Sequence, residues 1–308
     1  MSALRRYAEI ARDVLAAARP PRGGSKGVLI LGMHRSGTSA ITGLVSLLGP
    51  ELGDRDDLTP ADEANQKGYW ESASLAGFQE SLLEKLGGGW ERPPVLCRGW
   101  EDDWRLVRRV GLARRTFRAV YGEAREWLWK DPRTTLLLPF WRRALRFDPV
   151  VVGICRDPVE VAGSLAARDG FPEDRSFSLW EAYNRALLTH ARGLPTFIVA
   201  YEDLVNDPVS VGRELTDFLE AQGLTVRRPD DDALRSCVDV GLRHNVRSGS
   251  TGAKHEVMSN AQRELLATLH RVRGAHAAFG ELSAEPDEGI ARPDRGRSAR
   301  TSRQPLRG

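Results

Sequence analysis

Residues 28 to 48, "VLILGMHRSGTSAITGLVSLL", leave the chain few ways to fold. Val28 to Leu31 is an apolar run too short for a helix and bounded by glycine, which predicts a buried strand. After Gly37 the apolar residues Ile41, Leu44, Val45 and Leu48 recur on one helical face, and Gly49-Pro50 ends the pattern. A strand, a glycine loop and a helix in that order make an anion cradle, because loop N–H groups and the positive helix end converge on one point. Gly32 and Gly37 have the spacing of the loop that holds nucleotide phosphates, but Thr38 stands where that loop has lysine. The cation is instead Arg35, inside the loop, and Thr38 and Ser39 supply hydroxyls. A loop of this kind suits a short anion without a metal: a 5′-phosphate carrying one further transferable group.

The same unit recurs. "EWLWK" runs into Asp131-Pro132 and a helical stretch from Thr134 to Leu145, and "VVVGIC", Val150 to Cys155, leads to a helix opening at Pro158. A helix from about Ser178 to Ala191 leads into the strand "TFIVAY", Thr196 to Tyr201. Pro208 opens another helix through Phe218 and Leu219, and a last helix is expected from Ser259 to Phe279. Strands alternating with helices predict an α/β fold, a parallel sheet flanked by helices on both faces. The ligand site of such a sheet lies at the carboxyl ends of its strands. Those ends are Gly32 to Thr38, Lys130-Asp131, Arg156 and Tyr201.

A chain of 308 residues accommodates one large domain, expected over 27–282, after an N-terminal helix and linker over 1–26. Residues 283–308 hold six arginines among Pro, Gly, Ser and Asp, which predicts a disordered, solvated tail rather than a nucleic-acid or lipid anchor. No run approaches the roughly 20 apolar residues that cross a bilayer, and the first residues lack a signal-peptide core, so a cytoplasmic protein is expected. Cys97, Cys155 and Cys237 are far apart and odd in number, which argues against a disulfide framework or a zinc site. The histidines lack metal-ligand spacing, so no metal is expected. His34, inside the loop, is expected to pack or hydrogen-bond locally.

A second anion signal is "RDPVEVAGS", in which Arg156 ends a strand and Ser164 follows in the next helix. Arginine presents a fixed fork to phosphate oxygens, and a serine hydroxyl adds a bond to the same group. Two phosphate sites in one chain point to a nucleotide phosphorylated at two places. The alternative is that Arg156 pairs with Asp157 or caps a carbonyl, and that Ser164 is a helix-surface residue.

Together these segments resemble the sulfotransferase superfamily, whose members use 3′-phosphoadenosine 5′-phosphosulfate (PAPS) as donor. "GMHRSGTS" is similar to the family's 5′-phosphosulfate loop in its arginine-bearing form, and "CRDPVEVAGSL" to its 3′-phosphate motif. "VAYEDLVNDP", "KGYWE" and "WKDPRTTLLLPFW" also resemble family segments, the last two those of bacterial members. The resemblance implies a P-loop-type sulfotransferase fold in which Arg35, Ser36, Gly37, Thr38 and Ser39 bind the 5′-phosphosulfate. It further implies that Arg156 and Ser164 take the 3′-phosphate, that Tyr201 borders the adenine, and that Arg243 or Arg247 in "GLRHNVRSGSTG" supplements the 3′-phosphate contacts. The R-K-G triplet of the better-known cytosolic members is absent from that segment.

Sulfuryl transfer to a hydroxyl is an in-line displacement needing alignment, a base and stabilisation of the departing phosphate oxygen. Arg35 is the expected stabiliser. Lys130 is the second, resembling the lysine that contacts the sulfuryl group in the family; its bland role is pairing with Asp131. The family's K-T-H triplet is replaced by Lys130-Asp131-Pro132, so the leading base is Glu71 in "NQKGYWES", beside aromatic residues that exclude water. Asp131 is the runner-up, against a structural role in bonding backbone N–H groups. Tyr69, Trp70, Phe78, Trp90, Trp100 and Trp104 are candidates for an acceptor pocket, half of them possible core residues. Aromatic faces stack on sugars and on phenols, so a carbohydrate or a phenolic natural-product hydroxyl fits. The rivals are a P-loop kinase or hydrolase without its lysine, and a non-catalytic relative that binds nucleotide or a protein partner.

Overall fold

Every residue from Val28 to Leu31 is buried, because the strand is covered on both faces. Its side chains alternate: Val28 and Ile30 join one apolar cluster, Leu29 and Leu31 the other. The computed structural model describes residues 26–60, 69–122, 124–237 and 257–280. The expected helix over 2–18, the tail over 283–308, and Arg243 and Arg247 lie outside them.

The described sheet has the order β2-β1-β3-β4-β5, with β1 Lys26–Leu31, β2 Glu126–Lys130, β3 Val150–Cys155, β4 Thr196–Ala200 and β5 Gly274–His276. The first four are parallel. One face is covered by α1 (Thr38–Leu47), whose Ile41, Leu44 and Val45 are fully buried, and by α7 (Tyr201–Asn206), α8 (Pro208–Ala221) and α9 (Asp231–Cys237). The other is covered by α2 (Ala73–Lys85), α3 (Val107–Tyr121), α4 (Arg133–Leu145), α5 (Pro158–Asp169), α6 (Glu173–His190) and α10 (Asn260–Arg271). Aromatic residues concentrate in this second layer: Trp141 stands edge-on to Trp129 at 4.6 Å and donates its indole N–H to Gln79 at 3.1 Å.

The α/β architecture agrees with the sequence reading, and two elements differ from it. The helix that the sequence predicts through Phe279 ends at Arg271, and Gly274 (φ 92°) opens β5 three residues on. That strand pairs antiparallel with β4, an edge pairing to which helical periodicity is blind. The fourth strand was expected to include Tyr201, which instead opens α7.

The connection from β1 to β2 crosses to one side of β1, whereas β3 lies on its other side. The sheet therefore changes direction between β1 and β3, and a crevice opens at the carboxyl ends of strands there.

Candidate functional site

The loop after β1 fills that crevice. Arg35 has a left-handed backbone (φ 66°), as does Gly37 (φ 91°), so the chain turns sharply enough for α1 to start at Thr38 with no side chain capping it. Gly37 is required twice over, since a Cβ there would also lie 2.3 Å from the Tyr201 ring. At Gly32 a Cβ would lie 2.6 Å from the Ile154 carbonyl of β3. Thr135, from α4, clamps the loop entrance: Gly32 N–H donates to its hydroxyl at 2.9 Å, and the hydroxyl donates to Gly32 C=O at 3.1 Å.

The four strand ends converge. One cavity is lined by His34, Arg35, Gly37, Thr38 and Ser39 of the loop, by Lys130 at the end of β2, Arg156 after β3 and Tyr201 after β4, and also by Tyr69, Glu71 and Arg168. Arg35 Nε donates to Ser164 Oγ at 2.8 Å, which ties the first anion segment to the second. Arg156 donates from Nε to Glu160 at 2.8 Å and from Nη1 to the Arg35 carbonyl at 3.2 Å, with its guanidinium 4.3 Å over the Tyr201 ring. Its Nη2 is buried without a hydrogen-bond partner, as is Ser36 Oγ, among the described residues. Buried donors with nothing to donate to are costly, and Arg156 lines the cavity, so a ligand oxygen is the natural partner for its Nη2.

Lys130 is 2% exposed and does not pair with Asp131. Its ammonium donates to Glu71 Oε1 at 2.6 Å and to the Tyr69 carbonyl at 2.7 Å, leaving one of three hydrogens for the cavity. Burial pushes the Glu71 carboxyl above the usual carboxylate range, opposed by Lys130. Asp131 accepts from the Arg133 backbone N–H at 3.0 Å and guanidinium at 2.9 Å, opening α4, and its Oδ2 is buried without a partner among the described residues. Burial works against the charge of Arg133, but Asp131, Glu80 and Glu71 hold its guanidinium above the ordinary range. Arg156 likewise does not pair with Asp157, whose carboxylate caps α5 through the Val159 N–H at 2.8 Å.

His34 packs on Trp90, ring centroids 4.5 Å apart, and edge-on to Tyr183 at 5.9 Å. Burial, with Arg133, Lys130, Arg168 and Arg35 nearby, depresses its basicity well below that of an ordinary histidine, so the ring is neutral. Of the aromatic candidates, Tyr69 lines the cavity and Trp90 adjoins it through His34. Phe78 is core against Phe140 and Trp141, Trp100 stacks on Phe140, and Trp104 is 79% exposed.

Sequence reasoning missed Arg168, Arg133 and Glu160. The first was legible, because Arg168 follows Ser164 by one helical turn and shares its face. The cavity thus gathers Arg35, Lys130, Arg156 and Arg168 around one carboxylate, Glu71, an arrangement suited to a ligand with several negative charges. No group of three His, Cys, Asp or Glu residues able to hold a metal occurs among the described residues. A larger, more open groove lined by Arg98, Arg142, Arg143, Arg146 and His190 lies toward the amino ends of β3 and β4, away from the strand ends that carry the anion loops.

The model of the family described as "Sulfotransferase family" matches residues 27–226. Among solved structures, the chain is similar to the sulfotransferase domain from the Synechococcus PCC 7002 olefin synthase (18% identity, TM-score 0.46, covering 82% of this chain and 97% of that one). It is also similar to the sulfotransferase domain from the curacin biosynthetic pathway (14%, TM-score 0.44, 80% and 98%). Sulfotransferase STF1 from Mycobacterium tuberculosis H37Rv matches at 15% identity and a TM-score of 0.41, covering 86% and 80%. No curated protein matches the sequence.

Proposed function

The chain belongs to the sulfotransferase family, and from that premise we propose that it moves a sulfuryl group from PAPS to a hydroxyl of a small-molecule or carbohydrate acceptor. The observation that carries the reading is the joining of two anion segments, Arg35 to Ser164 and Arg156 to the Arg35 carbonyl, with unpartnered donors on Ser36 and Arg156. A triphosphate with magnesium has no use for a second anion seat on the next strand. A donor bearing a 5′-phosphosulfate and a 3′-phosphate has.

In this reading the N–H groups at the start of α1, with Ser36, Thr38 and Ser39, cradle the 5′-phosphosulfate, and Arg156 Nη2 and Ser164 take the 3′-phosphate. Tyr201, wedged between Gly37 and the Arg156 guanidinium, borders the adenine. The acceptor oxygen attacks sulfur as the bond from sulfur to the phosphate oxygen breaks, and the electron pair stays on the departing phosphate. Arg35 and the third hydrogen of Lys130 meet that growing charge, in a site where preorganised donors act strongly. Glu71 takes the hydroxyl proton. Asp131 is the weaker candidate, because Arg133 already takes two bonds from it.

Arg156→Ala is expected to weaken 3′-phosphoadenosine 5′-phosphate by about 10- to 100-fold, the worth of a charge-assisted bond, and adenosine 5′-phosphate by far less. Isothermal titration of both nucleotides tests this; equal loss for the two would remove Arg156 from the 3′-phosphate seat. Thermal shift separates the kinase rival: stabilisation by ATP–Mg²⁺ but not by the bisphosphate would overturn the donor assignment. A broad acceptor screen with labelled PAPS separates the non-catalytic relative, which binds the bisphosphate and transfers to nothing.

A further inference from the structure

Helix α4 contains a proline, Pro139, four residues after Thr135. Proline has no N–H, so the Thr135 carbonyl loses the helical donor that any other residue at 139 would supply. A buried carbonyl without a donor is costly, and one arrives from another helix: His190, the last residue of α6, has Nδ1 at 2.9 Å from that carbonyl. A carbonyl only accepts, so the hydrogen is on Nδ1. The same residue, Thr135, is fully buried and makes the reciprocal pair of bonds that clamps Gly32, the first residue of the anion loop.

We propose that His190 is a positioning residue for the anion loop, acting through Thr135: its Nδ1–H fills the acceptor that Pro139 leaves empty and so fixes the turn whose threonine hydroxyl holds Gly32. The role is directional. Thr135 meets Gly32 through Oγ1 and His190 through its carbonyl, so both sets of bonds hold one residue in the first turn of α4. Gly32 has no slack to absorb such a shift, since Ile154 of β3 abuts it where a Cβ would stand. His190 also lines the arginine-rich groove and not the cavity, so a residue outside the cavity lining governs the loop.

The inference rests on the proposed donor reading only for its binding readout; loop order is read separately. His190→Phe keeps the ring and removes the donor, whereas His190→Asn returns an N–H near the Nδ1 position. The expected result for His190→Phe is exchange of the Gly32 amide hydrogen about tenfold faster, with affinity for 3′-phosphoadenosine 5′-phosphate about tenfold weaker. His190→Asn restores both to within about twofold, and Thr135→Val matches His190→Phe, the two together being no worse than Thr135→Val alone. Unchanged Gly32 exchange in His190→Phe, or failure of His190→Asn to restore it, overturns the proposal. Should His190→Phe not fold, His190→Asn with native Gly32 exchange supports the proposal and with fast exchange overturns it. Should the wild type bind no bisphosphate, the donor reading fails and Gly32 exchange alone decides the role of His190.

Discussion

Glu71→Gln lowers turnover by about 10³-fold, the usual worth of a positioned general base, while affinity for 3′-phosphoadenosine 5′-phosphate stays within about twofold. The asymmetry follows from the geometry. Glutamine keeps an oxygen for the Lys130 ammonium, which now sits 2.6 Å from Glu71 Oε1, so the cavity is not rearranged. What disappears is the capacity to accept a proton. Burial raises the Glu71 carboxyl, and the proposed base acts in its ionised form, so the wild-type rate is expected to rise with pH through a pKa above that of an ordinary glutamate. In the variant that limb is lost. Single-turnover kinetics across pH, with isothermal titration of the bisphosphate, checks both halves. Turnover within about tenfold of wild type would transfer the role to Asp131.

Much of this site was legible in the sequence because its parts are backbone features or strand ends. A buried parallel strand is an apolar run closed by glycine or a charged residue, and "VLIL", "EWLWK" and "VVVGIC" all have that form. Residues at their ends, Arg35, Gly37 and Thr38, Lys130, and Arg156, line one cavity. The pairings were not legible. Lys130 next to Asp131 invites a neighbour ion pair, but successive residues at the end of an extended strand point to opposite sides. The ammonium meets Glu71, 59 residues away in sequence. Asp157 next to Arg156 fails for a related reason: it caps α5, and the helix brings Glu160 back to the arginine one turn later. The edge strand Gly274–His276 was invisible because only its pairing with β4 makes it a strand.

The Lys130–Glu71 pair also makes a prediction about stability. Lys130→Met removes a 2%-exposed ammonium and leaves a carboxylate only 12% exposed, with Arg133 3.6 Å away as its remaining cation. It also removes the Lys130 hydrogen bond to the Tyr69 carbonyl. Breaking a buried pair from one side costs about 3–5 kcal/mol, and urea unfolding should read a loss of that order near neutral pH. The pH dependence has a definite sign. Glu71 is already raised by burial, and without Lys130 nothing as close opposes that rise. A carboxyl whose folded pKa exceeds its unfolded one favours folding most below the unfolded pKa, and that advantage is lost as pH climbs through the folded value. The deficit of Lys130→Met against wild type should therefore shrink as pH falls toward 5 and grow toward 8. Adding Glu71→Gln removes the unpaired charge, so the double variant should recover more than half of the lost stability at pH 8. A double variant no more stable than Lys130→Met would mean that the lysine stabilises the fold through the Tyr69 carbonyl instead. Recovered stability without recovered transfer separates the structural work of the pair from its proposed chemistry, since the refolded double variant still lacks both the base and the cation that meets the departing oxygen.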